Sequence, residues 1–250
     1  MSGLRSCREL RELELYENCV CCIEGLDGLV KLATLDLSYN RIQRMEGLGA
    51  AGLPSLRELY LANNRISAIE GLEGLDRLEV LELGSNQLRR IANLRHLGAL
   101  RELHLGRNDI DLIGEGLAGL ASLTTLGLAS NRLRSLQGVE AAVGLRELYA
   151  DHNMIDDTAP ILGLSQLHTV ELSANRLRSI QVAPLSLLEE LWLSDNPIDD
   201  AAALADVAVL PRLKTLYLSG CPFALTADYR ASVLGLAPST LVQLDADSLR

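Results

Sequence analysis

The side chains of this sequence that could do chemistry are few and scattered. Histidine, the most versatile acid–base residue near neutral pH, occurs at four separate positions, His96, His104, His152 and His168. There is no H-E-x-x-H zinc motif, no G-x-x-x-x-G-K-[ST] phosphate loop and no G-x-S-x-G nucleophile motif. We therefore predict that the chain is not an enzyme and that it needs no cofactor.

Two kinds of local cluster could be considered as metal ligands. Cys19, Cys21 and Cys22 lie close together, but zinc needs further ligands at suitable spacing, and none is evident. We expect a surface thiol cluster that is open to oxidation. The doublets Asp156-Asp157 and Asp199-Asp200 offer fewer convergent oxygens than calcium requires. We expect them to be solvated turn residues, and no metal is predicted.

Charge and composition exclude several classes of protein. The formal net charge is −10 and the isoelectric point is near 4.9, which argues against nucleic-acid binding. The sequence contains no run of 18 apolar residues, so no membrane span is predicted, and the N-terminus lacks the apolar stretch of a signal peptide. Five cysteines, an odd number, do not suggest a disulfide framework. We expect a soluble intracellular protein.

One pattern recurs ten times along the chain. Each copy reads L-x-x-L-x-L-x-x-N-x-[VILF], and 28 of the thirty leucine positions hold leucine, the exceptions being Ala150 and Val170. Successive copies are 21 to 25 residues apart. The asparagine position is occupied by Asn18, Asn40, Asn64, Asn86, Asn108, Asn131, Asn153, Asn175, Asn196 and Cys221. This pattern resembles the leucine-rich repeat.

The repeat predicts a fold. The L-x-L alternation indicates a short strand with inward leucines, and each leucine layer can be buried only by the next repeat. The asparagines should bond backbone groups that the turn leaves unpaired. We predict an α/β leucine-rich-repeat solenoid of about ten 22-residue repeats. Its concave face should be a parallel sheet, and its convex side should carry short 3₁₀ or helical segments.

The ends of the chain depart from the repeat. We predict a short N-terminal segment at 1–9, the solenoid at 10–220 and a C-terminal cap at 221–250. The repeat register is expected to stop after Cys221, and residues 228–234 are predicted to form a helix. Nine residues are few for an N-terminal cap, so we expect either a partly exposed first repeat or further sequence upstream.

Strand alternation also predicts which side chains face a partner. In L-x1-x2-L-x3-L, positions x2 and x3 should line the concave surface. Four of the eight aromatic residues stand at x3, and nine of the twenty x2 and x3 positions are acidic, whereas none is lysine or arginine. This favours a protein-binding face whose partner presents basic side chains. Alternatively, the x2 glutamates only pair with the x1 arginines, which are Arg11, Arg57, Arg101 and Arg146.

Three segments and the cap carry a closer resemblance. Residues 10–18, 35–40 and 81–86, together with 215–218, 229–230 and 243–246, are similar to the leucine-rich-repeat regulatory subunit 7 family of protein phosphatase 1. The resemblance implies a non-catalytic subunit, a monomer when unbound, that grips the phosphatase catalytic subunit with its concave face in the nucleus or cytoplasm. Membrane and nucleic acid are not expected as partners.

The family's contact positions can be carried over one by one. Asp36, Glu82, Glu190, Trp192 and Tyr217 match the family's residue types, whereas Tyr60 and His104 stand where the family has phenylalanine. Two further residues come from the x3 column. The predicted partner-binding residues are Asp36, Tyr60, Glu82, His104, Tyr149, Glu171, Glu190, Trp192 and Tyr217. The alternative function is a leucine-rich-repeat scaffold of axonemal, dynein or spliceosomal type. His104 is the residue that favours this alternative.

Overall fold

The computed structural model describes residues 4–49 and 52–249, and within them twelve short strands form one sheet. The strands cross the sheet in chain order, and every neighbouring pair is parallel except β11 and β12, which are antiparallel. The strands are β1 (Glu12–Glu14), β2 (Thr34–Asp36), β3 (Glu58–Tyr60), β4 (Val80–Glu82), β5 (Glu102–His104), β6 (Thr125–Gly127), β7 (Glu147–Tyr149), β8 (Thr169–Glu171), β9 (Glu190–Trp192), β10 (Thr215–Tyr217), β11 (Gln243–Leu244) and β12 (Asp247–Ser248). The predicted parallel-sheet solenoid is confirmed.

Each repeat strand places its central residue in the core and its outer two residues on the opposite face. In β3, for example, Leu59 is buried between half-exposed Glu58 and Tyr60. The next strand repeats the arrangement in register, with Leu59 opposite Leu81. The leucine layers therefore stack into one continuous core, and the x2 and x3 side chains share one surface. We call this x2 and x3 surface the concave face.

The asparagines form the predicted ladder. The Nδ2 of Asn108 donates to the carbonyls of Leu83 and Leu105, both at 3.0 Å, and its Oδ1 accepts the N–H of Leu88 at 2.9 Å. One side chain thus joins two successive repeats through backbone groups that the strands do not use. In the last copy Cys221 takes this position, and its thiol lies 3.3 Å from the carbonyl of Leu193.

The residue before each asparagine adopts a left-handed backbone conformation, which the sequence pattern did not predict. Tyr39, Ser85 and Ala174 have φ of 55°, 55° and 54°. Side chains other than glycine usually avoid this region. The neighbouring repeat holds them there, because the N–H of Tyr39 donates to the carbonyl of Ala62 at 2.8 Å.

The convex side is built mainly from successive tight turns. The N–H of Leu29 donates to the carbonyl of Leu26, and the N–H of Leu32 donates to that of Leu29. Glycine lets these turns approach each other, since a Cβ on Gly71, whose φ is +72°, would lie 2.8 Å from a backbone oxygen. The 3₁₀ helices are Leu4–Ser6, Val139–Ala141, Ala159–Ile161, Ala202–Val209 and Pro222–Leu225. Repeats of about 22 residues leave little room for longer helices.

The C-terminal segment differs from the prediction in one respect. A helix, α1 (Tyr229–Leu236), is present as expected, but the repeat register does not stop at Cys221. It resumes at Leu241, because Leu244 of β11 lies opposite Leu216 of β10. The prediction was wrong because a long segment that contains α1 separates the two strands, so the repeat interval is lost there.

The N-terminal end is less well covered than the C-terminal end. Leu10, Leu13 and Leu15 of the first repeat are only partly buried, whereas their equivalents in the second repeat are fully buried. Leu4 packs against this layer from the first 3₁₀ helix. No helix in the described part of the chain is long and apolar enough to cross a bilayer.

Candidate protein-binding face

The structure brings the predicted site residues together in one row. Eight of them occupy the last position of their strands, and Glu190 occupies the first position of β9. Strand pairing sets them side by side, so that Asp36 lies opposite Tyr60, and Trp192 lies opposite Tyr217. The complete x3 row from β2 to β10 is Asp36, Tyr60, Glu82, His104, Gly127, Tyr149, Glu171, Trp192 and Tyr217.

The strongest aromatic feature lies at the C-terminal end of this row. The rings of Trp192 and Tyr217 stack with their centroids 4.2 Å apart and their planes inclined by 7°. The indole N–H of Trp192 donates to Glu190 at 3.4 Å, and the amide of Gln243 donates to the hydroxyl of Tyr217 at 2.5 Å. Because strands and polar bonds hold both rings, little conformational freedom is lost when a partner packs on them.

The x2 glutamates support the x3 rings elsewhere on the face. The hydroxyl of Tyr149 donates to Glu147 at 3.2 Å, and the hydroxyl of Tyr60 lies 3.4 Å from Glu58. In β5 the Nε2 of His104 is 3.3 Å from the carboxylate of Glu102. Burial, together with the adjacent carboxylates, raises the pKa of Tyr60 and Tyr149, so both hydroxyls stay protonated and available as donors at neutral pH.

The x3 acids also accept hydrogen bonds from backbone N–H groups, which the sequence analysis did not predict. Asp36 accepts the backbone N–H of Ser38 at 2.7 Å. Glu82 accepts that of Gly84 at 2.5 Å, and Glu171 accepts that of Ser173 at 2.8 Å. Each acid thus satisfies a donor just beyond its strand. The sequence signal was an acid two residues before a small residue, which the strand pattern alone did not single out.

Burial shapes the electrostatics of two of these acids. Desolvation raises the pKa of Glu82, against the lowering effects of the Gly84 N–H and of His104. Desolvation likewise raises the pKa of Glu171, against the bonds from Ser173. A raised carboxyl pKa means that burial destabilises the charged form of the carboxylate. A basic group from a partner would offset that destabilisation.

The alternative pairing of x2 glutamates with x1 arginines is wrong for the two arginines whose ion pairs are seen. Arg57 pairs with Glu79, and Arg101 approaches the same carboxylate at 3.9 Å. Glu79 itself stands at x1, between the two arginines. Lys214 and Glu189 form a further x1 pair at 2.6 Å. The x1 charges thus neutralise one another along the edge of the sheet and leave the acids of the concave face available to a partner.

Two exposed aromatics outside the predicted columns were also missed. Tyr16 and Tyr39 follow β1 and β2, and their ring centroids lie 4.9 Å apart. They remain 48% and 47% exposed, so this pair extends the apolar surface at the N-terminal end. No shared column connects them in the sequence, because Tyr16 stands two residues before its asparagine and Tyr39 one.

The thiol cluster and the aspartate doublets lie elsewhere. Cys19, Cys21 and Cys22 are exposed free thiols beyond the first repeat strand. Cys21 and Cys22 line a shallow groove with Arg44. The doublets at 156–157 and 199–200 are exposed, and among the described residues no three histidine, cysteine or acidic side chains converge as metal ligands.

Comparison with known proteins agrees with this architecture. The family model described as leucine rich repeat matches residues 31–88 and 54–110. The crystal structure of internalin C2 from Listeria monocytogenes is 31% identical over 72% of this chain and 79% of that chain, with a TM-score of 0.66. The chain belongs to the leucine-rich-repeat family. Leucine-rich-repeat solenoids typically act as non-catalytic scaffolds that bind proteins on their concave surfaces.

Two further structures resemble this leucine-rich-repeat protein in fold. Internalin inlF of Listeria monocytogenes is 21% identical over 96% of this chain and 88% of that chain, with a TM-score of 0.61. A leucine-rich-repeat protein of Leptospira interrogans is 24% identical over 94% of this chain and 66% of that chain, with a TM-score of 0.74. No curated protein matches the sequence.

Proposed function

We propose that this protein is a non-catalytic regulatory subunit that binds the catalytic subunit of protein phosphatase 1 through its concave face. The observation that carries the proposal is the in-register group of Glu171, Trp192 and Tyr217 with Glu190 beside it. An aromatic stack flanked by acids fits the energetic centre of an interface, where rings supply contact area and charges select a basic partner.

The rest of the concave face is consistent with one extended partner. Asp36, Tyr60, Glu82 and His104 continue the row toward the N-terminal end, and Tyr149 supplies a ring between the two groups. The partner should present arginine or lysine opposite the acids and apolar side chains opposite the rings. The departure at His104 concerns one position near the middle of the row, so Trp192 and Tyr217 should supply the larger part of the affinity.

The proposal places the protein inside the cell, in the nucleus or cytoplasm. All five cysteines are free thiols, four of them exposed, which fits a reducing compartment. In the proposed role the protein is a monomer until it meets its partner. The domain limits at residues 10 and 220 are part of the same proposal, with the segment from 221 onward acting as the cap.

Co-purification tests the proposal directly. The double variant Glu190→Ala with Trp192→Ala should lose the phosphatase while its far-UV circular dichroism stays native, because both side chains project away from the leucine core. A matched control is Glu115→Ala with Val143→Ala, which removes an exposed acid and an exposed apolar residue from outside the sheet. The control should bind like the wild type.

Two outcomes would count against the proposal. A folded double variant that still retains the phosphatase would contradict the site. A wild-type pull-down that contains tubulin, dynein chains or splicing factors, and no phosphatase, would favour the alternative scaffold of axonemal, dynein or spliceosomal type. Mass spectrometry of the bound proteins separates these results.

A further inference from the structure

A second charged surface lies outside the concave face, on the flank of the solenoid that follows the asparagine ladder. The positions one to four residues after each ladder asparagine lie side by side in successive repeats. The N–H of Arg65 donates to the carbonyl of Ile42, and the N–H of Gln87 donates to that of Ile66, each at 2.8 Å. Besides Arg44, these positions in repeats two to four carry four exposed arginines, which we call the flank arginines: Arg41, Arg65, Arg89 and Arg90.

The flank arginines are not neutralised within the described part of the chain. None of the four guanidinium groups has an ion pair or a hydrogen bond to the residues described there. Arg44 lies among them and takes up two carboxylates, pairing with Glu46 at 2.5 Å and with Glu70 at 3.3 Å. Four positive charges are therefore left facing solvent on a protein whose net charge is −10.

The remainder of the same flank is arranged differently. From repeat five to repeat nine, acidic and basic pairs alternate from one repeat to the next: Asp109 and Asp111, Arg132 and Arg134, Asp156 and Asp157, Arg176 and Arg178, Asp199 and Asp200. Arg132 pairs with Asp109 at 2.5 Å. In formal charge, acidic and basic positions therefore alternate along the C-terminal half of the flank, whereas in repeats two to four the charged residues at these positions are all arginines.

A groove marks the centre of the unbalanced part. It has a volume of about 540 Å³ and is lined by Gln43, Arg44, Arg65, Ser67, Glu70 and Gln87. Guanidinium groups bind carboxylates in a bidentate manner. The glutamine amides and the serine hydroxyl can donate further hydrogen bonds to the same ligand.

We propose that the flank arginines and this groove bind an acidic segment of a partner protein, rich in glutamate or aspartate. Alternate side chains of an extended peptide point to the same side, about 7 Å apart. An acid at every second residue therefore lies on the side of the peptide that faces the flank arginines, whose long side chains can reach it. A long polyanion such as RNA is disfavoured, because it would also meet the field of the acidic concave face.

Because this surface does not overlap the concave face, one molecule can hold two partners at once. The flank would recruit a protein with an acidic segment while the concave face binds its own partner. The site depends on charges that surround the groove and on no residue of the x2 or x3 columns, so it stands independently of the phosphatase assignment.

Fluorescence anisotropy with a labelled ten-residue glutamate peptide tests the inference. The full chain should bind the peptide at low salt, and the affinity should fall as salt is raised. The variant Arg41→Ala, Arg65→Ala, Arg90→Ala should bind about tenfold more weakly, since three favourable charge contacts are lost. The matched control is Arg134→Ala, Arg176→Ala, Arg178→Ala, which lowers the net charge by the same amount and should stay within about twofold of the wild type.

Three results would overturn the inference: absence of peptide binding by the wild type, equal loss in the two triple variants, or tighter binding of a ten-nucleotide polyuridine than of the glutamate peptide. The last result would assign the flank to nucleic acid. Phosphatase co-purification should be unchanged in the Arg41→Ala, Arg65→Ala, Arg90→Ala variant, so failure of one proposal is distinguishable from failure of the other.

Discussion

The hydroxyl of Tyr229 donates a hydrogen bond of 2.7 Å to Asp245, and the other carboxylate oxygen of Asp245 accepts the backbone N–H of Leu218, also at 2.7 Å. One carboxylate therefore ties helix α1 to the end of the last full repeat. Phe223 packs edge-on against Tyr229 at a centroid distance of 5.3 Å. The segment around α1 is thus held by polar and aromatic contacts together.

Tyr229→Phe should weaken the attachment of α1 to the repeats. The substitution keeps the ring and removes the bond to a charged acceptor, so the free energy of unfolding should fall by about 1.5 kcal/mol in urea titrations. Burial, and then Asp245, raise the pKa of Tyr229. The stabilisation is thus complete below pH 10, the ordinary tyrosine pKa, and declines as pH rises above it. Tyr229→Phe should lack this decline, and an identical alkaline decline in both proteins would contradict the assignment.

Asn108→Ala should destabilise the middle of the solenoid. It leaves the carbonyls of Leu83 and Leu105 and the N–H of Leu88 without their partner, which should cost at least about 2 kcal/mol. Chemical denaturation measures the change. Asn93→Gly is the control, because exposed Asn93 makes a single bond to the carbonyl of Ile69 and glycine tolerates its φ of 60°, so the loss should cost under about 1 kcal/mol. Equal losses would contradict a special role for the ladder.

Tyr217→Ala should expose the indole of Trp192. Trp192 is the only tryptophan, so its fluorescence reports on the aromatic stack without interference. We expect a red-shifted emission and faster quenching by acrylamide, because the stacked ring covers one face of the indole. Tyr16→Ala, at the far end of the sheet, should leave both signals unchanged. An unchanged spectrum in Tyr217→Ala would show that the stack is absent in solution.

Glu82→Gln should raise the stability at pH 7 and have little effect at pH 4. The pKa of Glu82 is raised by burial, so its protonation favours the folded state at low pH, and this contribution is lost as pH rises through the folded pKa. Glutamine keeps an acceptor for the Gly84 N–H without the buried charge. Glu12→Gln, at an exposed strand position, should change nothing. Unfolding measured at both pH values checks the sign, and an equal effect at both would contradict it.

The cysteines should divide into two classes in a thiol titration. Cys7, Cys19, Cys21 and Cys22 are exposed and should react within the first phase. Cys221 is buried, and burial raises the pKa of its thiol, so it should react only after unfolding. Cys221→Ala should abolish the slow phase and leave the fast phase intact. A fast phase of five thiols would contradict the burial of Cys221.

Much of this architecture could be predicted because the same repeat pattern specifies both the local strand and the distant residues that pack against it. Leu59 repeats at a fixed interval as Leu81, so a single period specifies the strand, the inward face and the neighbour. The same alternation predicted that Trp192 and Tyr217 share a surface. It could not predict their parallel stacking, because ring orientation depends on contacts such as the Gln243 amide, which comes from a distant part of the chain.

The predictions that failed depend on interactions outside one repeat period. The return of the register at Leu241 is hidden by α1, whose length no periodic rule specifies. The pairing of Arg57 and Arg101 with Glu79 arises between repeats, where x1 side chains of opposite sign happen to be neighbours. The backbone bonds of Asp36, Glu82 and Glu171 depend on turn geometry just beyond each strand. Sequence alternation assigns a side chain to a face and leaves its hydrogen-bond partner open.

The antiparallel strand β12 covers the C-terminal edge of the sheet. Similar repeats can in principle stack without limit, because the free edge of a parallel sheet can pair with a strand from another molecule. After Asp245 the chain turns back instead, and Asp247 and Ser248 cover the edge of β11 with an antiparallel strand of two residues, one of them charged. The parallel edge of β11 is therefore covered by β12, and a second copy of the sheet cannot extend the parallel ladder through β11.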